Sequence, residues 1–525
     1  MTKAMLWSGW GDPAHAAPLP PALRGLLEQA LGLRAGPPPV ALNQVRLPPV
    51  ALGSDVLAEL AGVVGDAHVD TTDEARVRHT RGKSTVDLLR IRAGEADDAP
   101  DAVVSPGSHD EILTVLRIAS ERHVAVVPFG GGTSVVGGLA ARRDGFVGVV
   151  ALDLARLDHL VSVDPVSRTA TFEPGVRAPD AEALLAPHGL TLGHFPQSFE
   201  YASIGGFAAT RSSGQSSAGY GRFDDMVVGL RVATPRGTVE AGRAPRSAAG
   251  PDLRQLFLGS EGTLGVITAV TVRVRPTPAQ RVVEAWRFDS FTDGIDAVRR
   301  LAQDGPLPTV VRLSDEFETA VNTIRPGESD SAPGGCLAII GYDGSDVEGS
   351  RSATGHTLRK AGATALGTEL GEAWVKGRFH APYLRDSLLD AGALAETLET
   401  ATFWSGLVPL YEAVRGALVA SLDEAGTTPL VLCHVSHVYA TGASLYFTVV
   451  CAQADDPVAQ WRQAKGAATA AILAAGGTVT HHHAVGADHA AGYWDEIGPL
   501  ALDALRAVKA SLDPAGILNP GVLLS

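Results

Sequence analysis

Three consecutive glycines, Gly130-Gly131-Gly132, follow directly on the short apolar run Val124–Val127 and lead into Thr133-Ser134. A residue without a Cβ takes positive φ freely and lets another group come close to the backbone. A strand ending in such a loop can offer its N–H groups and two hydroxyls to a diphosphate. Other phosphate-binding patterns fail on context. A dinucleotide fingerprint opens a helix after its glycines, and Val135-Val136-Gly137-Gly138 is no helix start. Gly82-Lys83-Ser84 lacks the glycine that a Walker-type loop needs five residues upstream, where Val77 stands.

The flanking sequence sets the fold class. His109–His123 places Ile112, Leu116 and Ala119 on one helical face. Strands are predicted at Val147–Leu152, Thr169–Phe172 and Met226–Thr234, the last ending in the turn Pro235-Arg236-Gly237. A helix is predicted near Ala178–His188, and Gly262–Val274 is rich in β-branched residues. This is an α+β domain with a mixed sheet, drawn at residues 96–280. The pattern then restarts, with strands at Val282–Phe288, Val310–Leu313 and Leu337–Tyr342 between helices near Gly294–Gln303 and Val347–Lys360. Further strands near Leu430–His437 and Ser444–Cys451 precede an Ala-rich helix at Pro457–Gly476. We assign 281–499 to a second, α/β domain and 500–525 to a closing segment that returns to the first. Residues 1–95 make a helical lead-in, whose first 55 residues hold one short helix at most. Pro326–Gly335 is the clearest flexible stretch. Two or three domains suit 525 residues.

Charge and cysteine content narrow the function classes. A formal net charge of -15 argues against a broad nucleic-acid surface, which needs clustered cations, but leaves room for one buried basic pocket. Cys336, Cys433 and Cys451 are too scattered for a disulfide framework or a cysteine zinc site, so a reducing, cytoplasmic setting is expected. No apolar run reaches the roughly 18 residues of a membrane span. The N-terminus has no secretion-signal pattern. A lipid substrate would then be reached by docking at the membrane periphery.

Three further segments join the glycine loop. Pro196-Gln197-Ser198 runs through Ser203 and Gly205-Gly206 into Thr210-Arg211-Ser212-Ser213-Gly214. Tyr220-Gly221 precedes Asp224-Asp225-Met226. Gly259-Ser260-Glu261-Gly262-Thr263-Leu264-Gly265-Val266-Ile267 makes a glycine-punctuated turn into a strand. In this order the segments resemble the PCMH-type FAD-binding domain of the vanillyl-alcohol oxidase superfamily. The resemblance implies that Pro128, Phe129, Gly130, Gly131, Gly132, Thr133 and Ser134 hold the pyrophosphate of FAD. The other segments would surround its ribityl chain and ring. Some members attach the flavin through a histidine in this loop. Here Phe129 and no histidine is present, so non-covalent FAD is expected.

The remainder resembles one family in that superfamily, over nearly the whole chain. Trp7–Pro13, Gly193-His194-Phe195-Pro196, Tyr383-Leu384-Arg385-Asp386 and His481-His482-His483-Ala484-Val485-Gly486 are similar to segments of alkyldihydroxyacetonephosphate synthases. That family exchanges the acyl group of acyl-dihydroxyacetone phosphate for a fatty alcohol. The exchange is redox-neutral, with the flavin as an electrophilic trap. The resemblance implies a substrate-binding role for Arg385 and catalytic roles for Arg312, Tyr446, His481, His482 and His483. It also implies a homodimer. The chemistry asks for the same residue types: bidentate arginine for a phosphate dianion, and a proton-transfer group within about 3 Å of the reacting atoms. Leu445 and Phe447 would face away from Tyr446 on a strand, leaving its ring free to face a cavity.

The histidines admit other readings. On a strand His481 and His483 would share a face and His482 would not. No close acidic or cysteine partner is obvious, so no metal is assigned. Related dehydrogenases of hydroxy acids use two histidines and a glutamate for a divalent metal, and here Tyr446 and His482 stand at two of those positions. His434 and His437 depart from well-known synthases and are assigned to the substrate side of the site. An FAD-dependent dehydrogenase or oxidase of a 2-hydroxy acid or alcohol is therefore the alternative function, and flavin binding without catalysis the third.

Overall fold

The computed structural model describes residues 5–16, 18–140, 142–323 and 334–524, so the stretch Pro326–Gly335 lies, up to position 333, outside the described residues. Four strands, β1 (Val69–Asp70), β2 (Ala102–Val104), β3 (Val124–Phe129) and β4 (Gly148–Asp153), form a sheet in the order β1-β2-β4-β3. β3 and β4 are parallel and almost wholly buried, which explains the unbroken apolar run that announces them. The helix His109–Arg122 feeds β3. Ser108 caps its start, and His123 ends it in the left-handed conformation, φ 53°.

A second sheet is antiparallel. It contains β5 (Leu160–Asp164), β6 (Thr169–Phe172), β8 (Val227–Thr234), β9 (Gly237–Ala241) and β10 (Val266–Arg273), ordered β5-β6-β10-β8-β9, while β7 (Leu190–Thr191) pairs with β11 (Arg275–Pro276). Phe172, Phe207, Phe223 and Phe257 fill its core. The C-terminal helical stretch Ala490–Leu512, broken at Gly498-Pro499, lays Tyr493, Trp494, Ile497 and Leu505 on that core. Beyond it, Leu518 bridges to Val126 of β3.

The third sheet has seven strands: β12 (Gln280–Phe288), β13 (Val310–Ser314), β14 (Cys336–Gly344), β15 (Thr364–Gly367), β16 (Ala393–Phe403), β17 (Leu430–Val438) and β18 (Gly442–Ala452). Their order is β15-β12-β14-β13-β17-β18-β16, with every pairing antiparallel. The helices Phe291–Asp304, Leu407–Glu424 and Pro457–Ala474 bury Val298, Val414 and Trp461 respectively against one face, where Leu445, Phe447 and Val449 join them. Strand alternation then turns Tyr446 to the opposite face. Two elements absent from the sequence reading matter for the site. They are β16 and the helix Ala381–Asp390 that carries Arg385. Among the described residues no helix is long and apolar enough to cross a membrane.

Candidate active site

The glycine loop is clamped by its neighbours. A Cβ on Gly131 would lie 2.4 Å from the Tyr201 carbonyl oxygen and 2.9 Å from Arg177 Nη1, and one on Gly130 would lie 2.6 Å from Ser203 Oγ. A Cβ on Gly138 would meet Glu261 Oε1 at 2.7 Å. Glu261 ties this end of the loop to the histidine segment, accepting from the backbone N–H of Val485 (3.1 Å) and Gly486 (2.7 Å). Asn519 Nδ2 donates to the carbonyls of Gly138 and Glu261, at 3.1 and 2.6 Å. Of the residues expected around the cofactor, Leu264, Val266 and Ile267 are core side chains, so only their backbone is available. Arg211 is engaged with Leu258, Gln255 and Asp224. Ser203 caps the helix Ile204–Thr210 through Gly206, and Thr210 bonds back to the Gly206 carbonyl. Ser212 and Ser213 point at histidines, His194 and His437 respectively. Gln197 Nε2 and Thr263 Oγ1 are buried without a protein partner among the described residues.

On the seven-stranded sheet, Tyr446 of β18 sits directly between His434 of β17 and Glu399 of β16 in the strand register. Its ring stacks on His434 at 4.9 Å and stands 6.0 and 5.6 Å from His482 and His483. Burial pushes the Tyr446 phenol up to about 12, so it keeps its proton at neutral pH. Arg312 donates to His434 Nε2 (3.0 Å) and to Glu318 Oε1 (3.0 Å), and His434 Nδ1 lies 2.9 Å from the same carboxylate oxygen. Burial opposes ionisation of Glu318, but Arg312 and His434 hold its carboxyl down at about 2.

The histidine triplet is not a strand. Residues 480–483 form an irregular loop, and Glu399 gathers it by accepting from three successive backbone N–H groups, those of His481, His482 (3.1 Å) and His483 (2.9 Å). The Thr480 hydroxyl adds a fourth bond at 2.7 Å. The expected alternation of faces therefore fails, and His481 Nδ1 lies 3.0 Å from His482 Nδ1. Burial would raise the Glu399 carboxyl, but the histidines around it, His482 first, hold it well below the usual range. A register shift between Val435 and Val438 turns His437 toward the same loop. Its ring lies 5.0 Å from those of His481 and His482, and Ser217 and Ser213 hold its Nδ1 at 2.6 and 3.1 Å. One ring nitrogen from each of His437, His481 and His482 lies within 4.8 Å of the others, a spacing that a metal ion would accept. Tyr439 Oη contacts His481 Nε2 at 2.6 Å, and Arg222 donates to the His481 carbonyl at 3.0 Å. A cavity of about 630 Å³ is lined in part by Tyr439 and Thr478, which bond to His481 and to the Thr480 carbonyl respectively.

Arg385 stands apart from that cluster. Its hydrogen bonds go to Asp386 Oδ1 and to the Lys83 carbonyl. Asp386 in turn accepts from the backbone N–H of Trp10, and the Trp10 ring packs edge-on against Tyr201 at 5.7 Å. The N-terminal motif, the Arg385 helix and the flavin segment thus meet at one place. Glu399, Glu318, Arg222, Tyr439 and Ser217 were absent from the sequence reading. Glu399 alone lies within a strand, while Glu318 and Ser217 lie in helices and Arg222 and Tyr439 just outside regular elements, where a polar residue carries no signal.

Burial keeps the histidines neutral. It pushes His481 and His194 down to about 3 and His489 to about 4, and holds His437 and His482 well below their ordinary value. A histidine that ionises near pH 6.5 when unfolded and far lower when folded binds more protons in the unfolded chain, so stability falls as pH falls below 6.5. At pH 5 each such histidine costs about 2 kcal/mol. Asp87 and Glu261, raised by burial to about 6 and about 7, act in the opposite sense and offset part of this. The melting temperature should therefore be lower at pH 5 than at pH 7.5; an equal or higher value would contradict the buried neutral cluster.

A sequence family described as the FAD binding domain matches residues 100–242, and one described as the C-terminal domain of FAD linked oxidases matches residues 277–523. The chain is 32% identical to the alkyldihydroxyacetonephosphate synthase of Trypanosoma brucei brucei, over 99% of this chain and 92% of that one. It is 30% identical to the synthase of the same name from Dictyostelium discoideum, over 99% and 93%. A solved alkyldihydroxyacetonephosphate synthase structure superposes with a TM-score of 0.85 at 30% identity, covering 98% of both chains. FAD is the cofactor, and the residues fit it: the glycine cradle leaves no room for a Cβ, and Gln197 and Thr263 keep buried polar atoms without partners among the described residues. Gly131→Ala should cost about 2 kcal/mol or more, because the blocking atom is a backbone carbonyl that has little freedom to move. Purified protein should then show a several-fold lower ratio of flavin to protein absorbance. A normal ratio with an unchanged melting temperature would remove the tight cradle from the account.

Proposed function

Because the chain belongs to the alkyldihydroxyacetonephosphate synthase family, we propose that it exchanges the acyl group of acyl-dihydroxyacetone phosphate for a fatty alcohol. The bond between C1 and the acyl oxygen breaks, the carboxylate leaves with the electron pair, and the alcohol oxygen forms the ether bond as it loses its proton. Bound FAD supplies an electrophilic centre for the substrate and no net oxidation. The observation that carries this reading is the placement of a protonated Tyr446 between His434 and Glu399, facing neutral His482 and His483.

Each residue then has a task. Tyr446 Oη holds a proton that it can give to a departing oxygen, and the ring nitrogens of His482 and His483 accept protons. Glu399 fixes the loop that carries them. Arg312, locked by Glu318, keeps positive charge beside Tyr446. Arg385 retains one N–H on each terminal nitrogen after bonding Asp386 and Lys83, and these are the donors proposed for the substrate phosphate. A homodimer that collects its lipid at the membrane periphery belongs to the same reading.

Dye turnover separates this from the hydroxy-acid oxidoreductase. With 2-hydroxy acids or alcohols and an artificial electron acceptor, the holoenzyme is expected to reduce no dye above the rate of free flavin. Sustained, substrate-dependent dye reduction would instead assign it to the oxidoreductases.

A further inference from the structure

Three phenylalanine rings and one guanidinium form a group outside the proton-transfer cluster. Phe195 and Phe199 lie 5.3 Å apart, and Phe199 stacks on Phe379 at 5.2 Å. The Arg378 guanidinium carbon stands 4.7 Å from the Phe195 centroid and 4.8 Å from the Phe379 centroid. All four side chains are only half-buried. Faces of a guanidinium covered by aromatic rings leave its N–H edge as the part that binds, and that edge matches a carboxylate or phosphate fork.

No such acceptor comes from the described residues. Among the described residues the Arg378 guanidinium makes no hydrogen bond and no ion pair. The carboxylate that faces it, Asp343, is already taken: Arg281 binds it at 2.7 and 2.8 Å and Tyr220 Oη donates at 2.8 Å. Arg281 itself lies 5.9 Å from the Phe195 ring, and Arg275 lies 3.7 Å above the Tyr220 ring. The remaining acid near Arg281 is Glu182, whose carboxyl burial raises while Thr191 and Gly193 donate to it. Positive charge thus collects here in a chain with a net charge of -15. Burial and the neighbouring Arg281 hold Arg378 down to about 10, the mark of a cation short of a partner.

This group adjoins the site. Gln215 donates from its backbone to the Phe195 carbonyl at 3.1 Å and from Nε2 to the Arg378 carbonyl at 3.2 Å. Two residues to either side, Ser213 and Ser217 hold His437. Phe195 belongs to the segment Gly193–Ser198 that resembles the flavin-contacting stretch.

We propose that Arg378, flanked by Phe195 and Phe379, binds an oxyanion carried by an acyl-bearing substrate or product. Two sources share that chemistry in the acyl exchange on which this inference rests: the leaving fatty-acid carboxylate and the phosphate head. The aromatic wall favours an oxyanion next to an alkyl chain.

The test is calorimetric titration of the FAD-loaded enzyme with dodecanoate, dihydroxyacetone phosphate and the neutral control dodecanol. Arg378→Gln is expected to weaken one of the two anions at least about 10-fold while leaving dodecanol affinity and flavin content unchanged. Dodecanoate loss would assign the leaving-group carboxylate, and dihydroxyacetone phosphate loss the head group. Arg378→Lys, which keeps the charge without the fork, should lie between wild type and Arg378→Gln, and serves if the glutamine variant does not fold. Equal affinity of wild type and both variants for both anions, or no anion binding by wild type, would overturn the proposal. Ether formation with Arg378-independent binding leaves the exchange reading standing and removes this one. Arg378-dependent binding without ether formation does the reverse.

Discussion

Tyr446→Phe is expected to leave the protein folded and yellow while cutting turnover by about 100-fold or more. The change removes one oxygen from a ring that packs on His434 at 4.9 Å, and the ring contacts survive it. What disappears is the proton that burial keeps on the phenol up to about pH 12. The loss should appear in kcat as well as in kcat/KM, because the interaction belongs to the reacting state and not to substrate binding. Steady-state rates on flavin-matched samples measure it. Near-normal activity would take Tyr446 out of the mechanism and leave His482 and His483 as the acid–base pair.

Glu399→Ala should do more damage to the loop than to the sheet. The carboxylate accepts from three consecutive backbone N–H groups and the Thr480 hydroxyl, and each bond to a charged acceptor contributes about 1.5–3 kcal/mol. Removing it leaves those donors unpaired in a buried place, for an expected loss of about 3 kcal/mol or more and of essentially all turnover. Glu399→Gln keeps one acceptor oxygen but turns an amide N–H₂ toward the His481 N–H, so it should rescue only part. Denaturant unfolding and amide exchange across residues 480–483 read both effects. Wild-type exchange in the alanine variant would show that the loop holds itself.

The sequence told most where backbone chemistry is written in residue type. The glycine loop after β3 was legible because only glycine fits beside the Tyr201 carbonyl, and the order of the later glycine segments carried the cofactor with it. Tyr446 was legible through the family resemblance, and alternation added only its facing, since Leu445 and Phe447 are fully buried on the far face. Glu399 was hidden because β16 reads Ala-Leu-Ala-Glu-Thr-Leu-Glu, a run of helix formers made into a strand by its two-sided burial beside β18. The histidine triplet misled for a related reason. Its geometry is imposed by Glu399, more than 80 positions earlier in the chain, and local alternation carries no trace of such a partner. Arg385 was found as a motif, but its pairing with Asp386 and the tie from there to Trp10 needed the fold.

What distinguishes this enzyme from its oxidoreductase relatives is the proposed redox-neutral exchange at Tyr446 and the histidine loop. Its most direct test is anaerobic incubation of the FAD-loaded enzyme with acyl-dihydroxyacetone phosphate and a long-chain alcohol, followed by mass spectrometry. Alkyl ether and free fatty acid are expected in equal amounts over many turnovers, with no electron acceptor added. Absence of the ether from fully loaded, folded enzyme would contradict that exchange.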